Sequence, residues 1–211
     1  QPLVVAEGYM DVIALSVGGF GASVAPLGTA VTENQLHLLW RISDEPIIAL
    51  DGDTAGLRAA MRVIDTALPM LEAGQSLRFA IMPEGLDPDD LIKAQGAGAM
   101  QKVLDGARPM VSLLWQRETE GKVFDSPERR AALDRDLRQA IAKIQDQSIR
   151  QHYGEEIKRL RYELFNPRRD SAPRQSGGWQ GGGGRRGPWK PAGPAFQPAT
   201  KGSLLAAASG Q

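Results

Sequence analysis

Apolar positions in the first ninety residues fall into two alternating patterns. Short runs rich in Val, Ile and Leu occupy Leu3 to Ala6, Ala22 to Ala25, Ile47 to Leu50 and Leu77 to Met82. Each is short and apolar on both of its alternating sides, which predicts strands buried on both faces of a sheet. Between these runs the apolar spacing lengthens to that of a helix. Thr32-Glu33-Asn34-Gln35 forms a capping-box pattern and leads into Leu36, Leu39, Trp40 and Ser43. Another helix is predicted from about Thr54 to Ala73 through Leu57, Ala60, Met61, Ile64 and Leu68, kinked at Pro69 and ended at Gly74. Strands alternating with helices in this way predict an α/β fold, a βαβ sandwich with a mostly parallel sheet.

After Leu91 the strand signal stops. Helices are expected over 97–105 and 109–120, and Ser126-Pro127-Glu128 combines an N-cap residue, a Pro at the first helical position and an early acid. A helical region then runs through Leu133, Leu137, Ile141, Ile144, Ile149, Ile157, Leu160 and Leu164, with a break expected at Gly154. The expected organisation is an α/β domain over 1–95 and an all-α appendage over 96–165. Trp40 and Trp115 lie within apolar helical patterns and read as core; His37 and His152 have no partner cluster and read as surface.

From Asn166 the periodicity dissolves. Gly177-Gly178, Gly181 to Gly184 and the prolines from Pro188 to Pro198 predict a disordered Gly/Pro/Arg linker over 166–200. Its arginines beside Trp179 and Trp189 resemble an RNA-binding segment, although a solvated tether explains them with less. Gly202 to Ala208 turns apolar and helix-forming, so a further domain is expected to start over 201–211.

Charge changes the picture more than composition does. The 25 basic and 25 acidic side chains cancel overall, but residues 1–165 carry 18 basic and 24 acidic groups and residues 166–211 carry 7 and 1. Within 1–105 there are 14 acids against 6 bases, a net charge of −8. No apolar run approaches the roughly 20 residues of a membrane span. Gln1-Pro2-Leu3 does not read as a signal peptide, so the expectation is a piece of a longer cytoplasmic protein. With no cysteine and two distant histidines, a metal would be held mainly by oxygen, which suits Mg²⁺ or Mn²⁺.

The acids gather at the ends of the apolar runs. Ile47 to Leu50 runs into Asp51-Gly52-Asp53-Thr54-Ala55-Gly56, and ligands of open α/β sheets bind at the carboxyl ends of strands. Two acids one residue apart on a turning backbone can share a divalent cation, and Gly52 lets that backbone turn without a Cβ clash. Leu3 to Ala6 runs into Glu7, with Asp11 one helical turn further on the same face. Leu77 to Met82 runs into Pro83-Glu84-Gly85-Leu86-Asp87-Pro88-Asp89-Asp90. One such acid could simply cap a helix; three strand ends delivering carboxylates to one edge point to a cation site that neutralises phosphate oxygens, hence to phosphoryl or nucleotidyl chemistry. Gly28 and Thr29, after the second strand, could form a phosphate-accommodating turn or merely a tight loop, and Arg58 with Arg62 could touch phosphates or form a solvated face.

Glu7-Gly8-Tyr9-Met10-Asp11-Val12, Pro26-Leu27-Gly28-Thr29-Ala30, Asp51 to Gly56 and Pro83 to Asp89 together resemble, in order and spacing, the Toprim portion of bacterial replicative DNA primases of the DnaG type. The resemblance covers about 3–165 and implies a Toprim fold followed by the helical subdomain of a polymerase core. It implies Glu7 as a metal-site acid or general base near the 3′-hydroxyl, Asp51 and Asp53 as a catalytic, metal-binding pair, and Asp11, Asp87 and Asp89 as further metal-site acids. One, two or more Mg²⁺ or Mn²⁺ ions would be held there, with zinc expected only in a preceding domain that this chain lacks. The implied activity is DNA-directed RNA polymerisation: ribonucleoside triphosphates joined into a short RNA primer on a single-stranded DNA template. The implied setting is the replisome at the nucleoid, as a monomer, with a replicative helicase bound through the domain beginning at 201. Without the basic first half of the core, the piece is expected to be inactive or weakly active.

Two rivals remain at this level. Asp51-Gly52-Asp53-Thr54 also fits the Asp-x-Asp-x-Thr of haloacid-dehalogenase-type phosphotransferases, in which Asp51 would be the nucleophile. A Toprim-like scaffold that docks replication proteins without catalysis is the other.

Overall fold

The computed structural model describes residues 1–26 and 30–166. Five strands form one sheet in the order β2-β1-β3-β4-β5: β1 Val4–Val5, β2 Ser23–Val24, β3 Ile47–Leu50, β4 Arg78–Ile81 and β5 Arg108–Pro109. The first four are parallel and β5 is antiparallel to β4. The four predicted strands are therefore present, trimmed to the residues that pair.

Alternation along the strands divides the core into two layers. Val5, Ile48, Leu50 and Phe79 face α2 (Glu33–Trp40) and α3 (Thr54–Ala67) and pack on Leu36, Trp40, Val63 and Ile64. Val4, Ile47, Ala49 and Ala80 face the other way, toward Leu15 of α1 (Tyr9–Val17), Leu91 of α4 (Pro88–Gln95) and Met100 and Leu104 of α5 (Ala97–Asp105). Helices on both faces bury every β3 position, as its uniformly apolar sequence requires. Trp40 is core, and its indole N–H donates to Ser76 O at 2.9 Å.

The helix predicted over 54–73 is straight to Ala67 and then tightens into a 3₁₀ turn over Leu68–Met70, where Pro69 has no N–H to continue the ladder. Two expectations need correction. A strand does exist after Leu91: β5 is only Arg-Pro, without a β-branched residue, and its pairing with β4 rather than local propensity makes it a strand. It is secured from the side by Arg78, whose Nε donates to Ala107 O at 3.1 Å. The second correction concerns Gly154, which lies inside α8 (Gln147–Phe165) and does not break it. The chain turns earlier, after α7 (Pro127–Ile141), because fully buried Ile144 anchors the connection in the main core and Asp146 caps α8 by accepting from Ile149 N at 2.8 Å.

α6 (Met110–Thr119), α7 and α8 pack around Leu133, Leu137 and Ile157, against which Trp115 also packs, whereas α5 and β5, placed in the appendage by the sequence, belong to the sheet layer. Met110 and Leu113 carry α6 into the core of the sheet domain. His37 and His152 are exposed, as expected. Among the described residues no helix is long and apolar enough to cross a membrane. The expectations for Gly28, Thr29, the 167–200 part of the linker and the 201–211 domain start lie outside the described residues.

Candidate functional site

The sheet changes direction of growth at β1: the chain places β2 on one side of it and then β3 on the other. α1 accordingly leaves toward one face and α3 toward the other, opening a crevice at the carboxyl ends of β1 and β3. Glu7 follows β1 and Asp51 follows β3, so the topology alone sets these two acids side by side. β4, the next strand, delivers the loop that ends at Asp87, and Asp89 follows in the first turn of α4.

Close backbone contacts lock the β3 and β4 loops together. Gly52 N donates to Leu86 O at 3.1 Å, and Gly85 N donates back to Gly52 O at 3.2 Å. A Cβ on Gly52 would stand 2.6 Å from Met82 O and overlap the Pro83 carbonyl, while one on Gly56 would overlap the carbonyl oxygen of Asp51. Glycine at 52 and 56 is thus demanded by close approach; the reading of Gly52 as a turn residue captured the need for it but not the cause.

Each acid is held differently. Asp53 is the N-cap of α3 and accepts from Gly56 N at 2.7 Å; Asp87 is the N-cap of α4 and accepts from Asp90 N at 2.6 Å. Both caps use one carboxylate oxygen. Asp11, only 8% exposed, accepts from Gly8 N at 3.1 Å and draws further support from the Asp89 amide. Asp89 pairs with Lys93 one turn along α4. Glu7 is exposed at the rim. Asp51 differs from all of these, because its Oδ1 is buried with no hydrogen-bond partner.

That orphaned oxygen lies in a strongly negative environment. Burial first, then the charges of Glu7, Asp11, Asp87 and Asp53, push the Asp51 carboxyl up to about 6. Burial also raises Asp11, against the lowering effect of the Gly8 amide, with Asp87 and Asp89 adding repulsion. All six predicted acids therefore belong to one electrostatic cluster. Among the described residues no three of them converge as a metal ion would hold them. The donor set nonetheless fits a hard divalent cation: it is all oxygen, it leaves one oxygen free on each capping aspartate, and its buried member lacks a donor.

The remaining phosphate candidates divide. Arg58 is exposed on α3 and lines a cavity of about 430 Å³ that contains none of the six acids. Arg62, expected only to share its fate, lines both that cavity and one of about 310 Å³ that Glu7 also lines. The four-residue spacing signalled a shared face; which end of the sheet that face meets was invisible without the topology.

The family described as Toprim-like matches residues 4–92, and the DnaB-helicase binding domain of primase matches residues 114–160. The chain is 43% identical over 150 residues to the DNA primase of Rickettsia felis, covering 71% of this chain and 25% of that protein. To the DNA primase of Escherichia coli it is 36% identical over 155 residues, 74% of this chain and 27% of the relative. It therefore spans about a quarter of the length of these relatives. Among solved structures, a DnaG primase catalytic domain bound to ssDNA matches with a TM-score of 0.69 at 34% identity, over 75% of this chain and 51% of that one. A DNA primase domain from Pseudomonas aeruginosa matches with a TM-score of 0.70 at 33% identity, over 76% and 50%.

Proposed function

We propose, for a chain that belongs to the bacterial DnaG-type DNA primases as their Toprim portion and following helices, that it supplies the acid-rich half of a nucleotidyltransferase centre. The reaction is primer synthesis on single-stranded DNA during replication. A 3′-hydroxyl attacks the α-phosphorus of a ribonucleoside triphosphate, a new P–O bond forms and pyrophosphate leaves.

The observation that carries this reading is Asp51 Oδ1, buried and without a donor at the carboxyl end of β3, among four other carboxylates. Asp51 and Asp53 would hold Mg²⁺ or Mn²⁺, with Asp87 contributing from the β4 loop. When bound, such a cation supplies charge neutralisation on the triphosphate and acidifies the attacking hydroxyl. Glu7, exposed at the rim of the same crevice, takes up that proton or completes the ligand set. Asp11 and Asp89 act behind them, since the Asp11 carboxylate ties the start of α1 to the start of α4.

The rest of the centre lies elsewhere in the relatives' length. With a net charge of −8 over residues 1–105, the described sheet domain is a poor grip for a template, and basic groups must come from the part the chain does not span. By itself the chain is expected to bind metal and to make primers poorly or not at all. The helicase contact belongs to this proposal too; the match to a helicase-binding family falls on 114–160, the helical appendage, rather than on the 201–211 segment to which sequence reading assigned it.

Replacing the matching segment of the Escherichia coli relative with residues 3–165 tests the reading. A folded chimaera should incorporate ribonucleotides on a single-stranded template and lose that activity with Asp51→Asn or Glu7→Gln. A folded, template-binding chimaera whose activity survives Asp51→Asn would contradict it.

A further inference from the structure

α7 and α8 run antiparallel, and each turns one stripe of side chains toward the other. On α7 the stripe is Asp134, Leu137, Arg138 and Ile141; on α8 it is Gly154, Ile157, Lys158 and Arg161. Both keep the i, i+3, i+4, i+7 spacing of a single helix face. Together they line a groove with a cavity of about 180 Å³, floored by the buried Leu137 and Ile157. Arg161 Nε and Asp134 Oδ1 close one end, buried and 2.9 Å apart but out of line for a hydrogen bond. Gly154 and Ile141 form the other end.

Gly154 keeps that end open. Its backbone is not left-handed, and an added Cβ would meet only Ile141 Cδ1 at an ordinary 3.9 Å, so the fold does not require glycine there. In a helix interior it is a poor former. A local rule broken without gain to the fold marks a position where function sets the residue.

The lining selects what can enter. Three bases face one acid, a net charge of +2, with Lys158 and Arg138 exposed on the rim and Arg138 3.8 Å from Asp134. The floor is aliphatic, and no lining residue is aromatic. A nucleic-acid strand would meet the bases but find no ring on which its own bases could stack. An apolar side chain flanked by carboxylates satisfies both parts of the lining. An apolar cavity of about 150 Å³ already takes a benzene ring, so one aliphatic or aromatic side chain fits. Seven of the eight lining residues fall within 114–160, the segment that matches the helicase-binding family.

We infer that this groove seats an acidic amphipathic helix of the replicative helicase, which places one apolar side chain beside Gly154 and carboxylates against Arg138 and Lys158. The inference rests on the helicase contact proposed above and narrows it to the face between α7 and α8.

Calorimetric titration of the full chain with the replicative helicase of the same organism tests it. Gly154→Leu, which plugs the cavity, should bind at least tenfold more weakly than the parent while melting no lower. Arg138→Gln/Lys158→Gln should bind at least fivefold more weakly. Arg150→Gln, which removes an exposed charge of α8 outside the cavity, should stay within twofold of the parent. If Gly154→Leu does not fold, Gly154→Ala replaces it, with a loss of at least twofold. Parental affinity in either folded variant, or equal loss in Arg150→Gln, would overturn the groove and leave a helicase contact elsewhere on the chain. A folded parent that binds no helicase would overturn both readings. Anisotropy of a labelled single-stranded oligothymidylate should not distinguish the double variant from the parent; a loss confined to that probe would assign the rim to nucleic acid and overturn the inference.

Discussion

Gly52 lies against the carbonyl of Pro83 so closely that no other residue fits: an added Cβ would overlap Pro83 O and stand 2.6 Å from Met82 O. This contact joins the loop bearing Asp51 and Asp53 to the loop bearing Asp87. It fixes the distance between two groups of acids that repel each other.

Gly52→Ala should therefore destabilise the chain by about 2 kcal/mol, the ordinary cost of forced overpacking, because the obstacle is backbone and cannot swing aside. Chemical denaturation measures it. Where the variant still folds, Mn²⁺ affinity should also fall, since the β3 and β4 loops would be pushed apart.

Asp51 makes a pH prediction with a definite sign. Its carboxyl is raised from the ordinary 3.8 to about 6, so the ionised form destabilises the fold. That cost is fully present above about 6 and disappears as pH falls through 6 toward 4. In EDTA at pH 7.5, Asp51→Asn should melt at a higher temperature than the parent, and the difference should shrink to nothing near pH 4. Saturating Mn²⁺ should reverse the order at neutral pH by stabilising only the parent.

Asp65 behaves oppositely. Burial alone would raise it, but the hydrogen bond from Lys143 at 2.8 Å and the charge and hydrogen bond of Arg117 outweigh burial and hold its carboxyl below the usual range. These bonds tie α3 to α6 and to the turn before α8. Asp65→Asn should cost about 0.5–1 kcal/mol at neutral pH, as suits a partly exposed pair. The contribution is present above the ordinary carboxylate value of about 3.9 and is lost as pH falls through the lowered one. Denaturant melts at pH 7 and at successive steps below pH 4 would show the full difference at the first and its decline across the others.

Gly154→Ala should stabilise the appendage by about 0.5–1 kcal/mol. The residue is inside α8, where Gly is a poor helix former, and a new Cβ would meet only Ile141 Cδ1 at an ordinary 3.9 Å. Thermal melts of the variant check this.

That glycine also shows where sequence reading stops. Ile47 to Leu50, buried at every position, could be read directly, because a strand covered on both faces has no polar side to disguise it. The acids after each strand were legible for the same reason, once a parallel sheet was inferred. β5 was not, since Arg-Pro has no strand signature and owes its conformation to β4. The turn at Ile144 was missed because its buried partner lies in the sheet domain, far away in sequence, whereas Gly154 offered a local signal that tertiary packing overrides. Arg62 likewise looked like an ordinary solvated residue until the topology placed it beside Glu7.

The central claim is that three strand ends build one cation site. Mn²⁺ titration by calorimetry on the parent and on Glu7→Gln, Asp51→Asn and Asp87→Asn, each confirmed as folded by thermal melts, tests it most directly. The account predicts that the parent binds Mn²⁺ and that all three variants bind at least tenfold more weakly. A folded parent that binds no Mn²⁺, or weakening confined to Asp51→Asn, would contradict it.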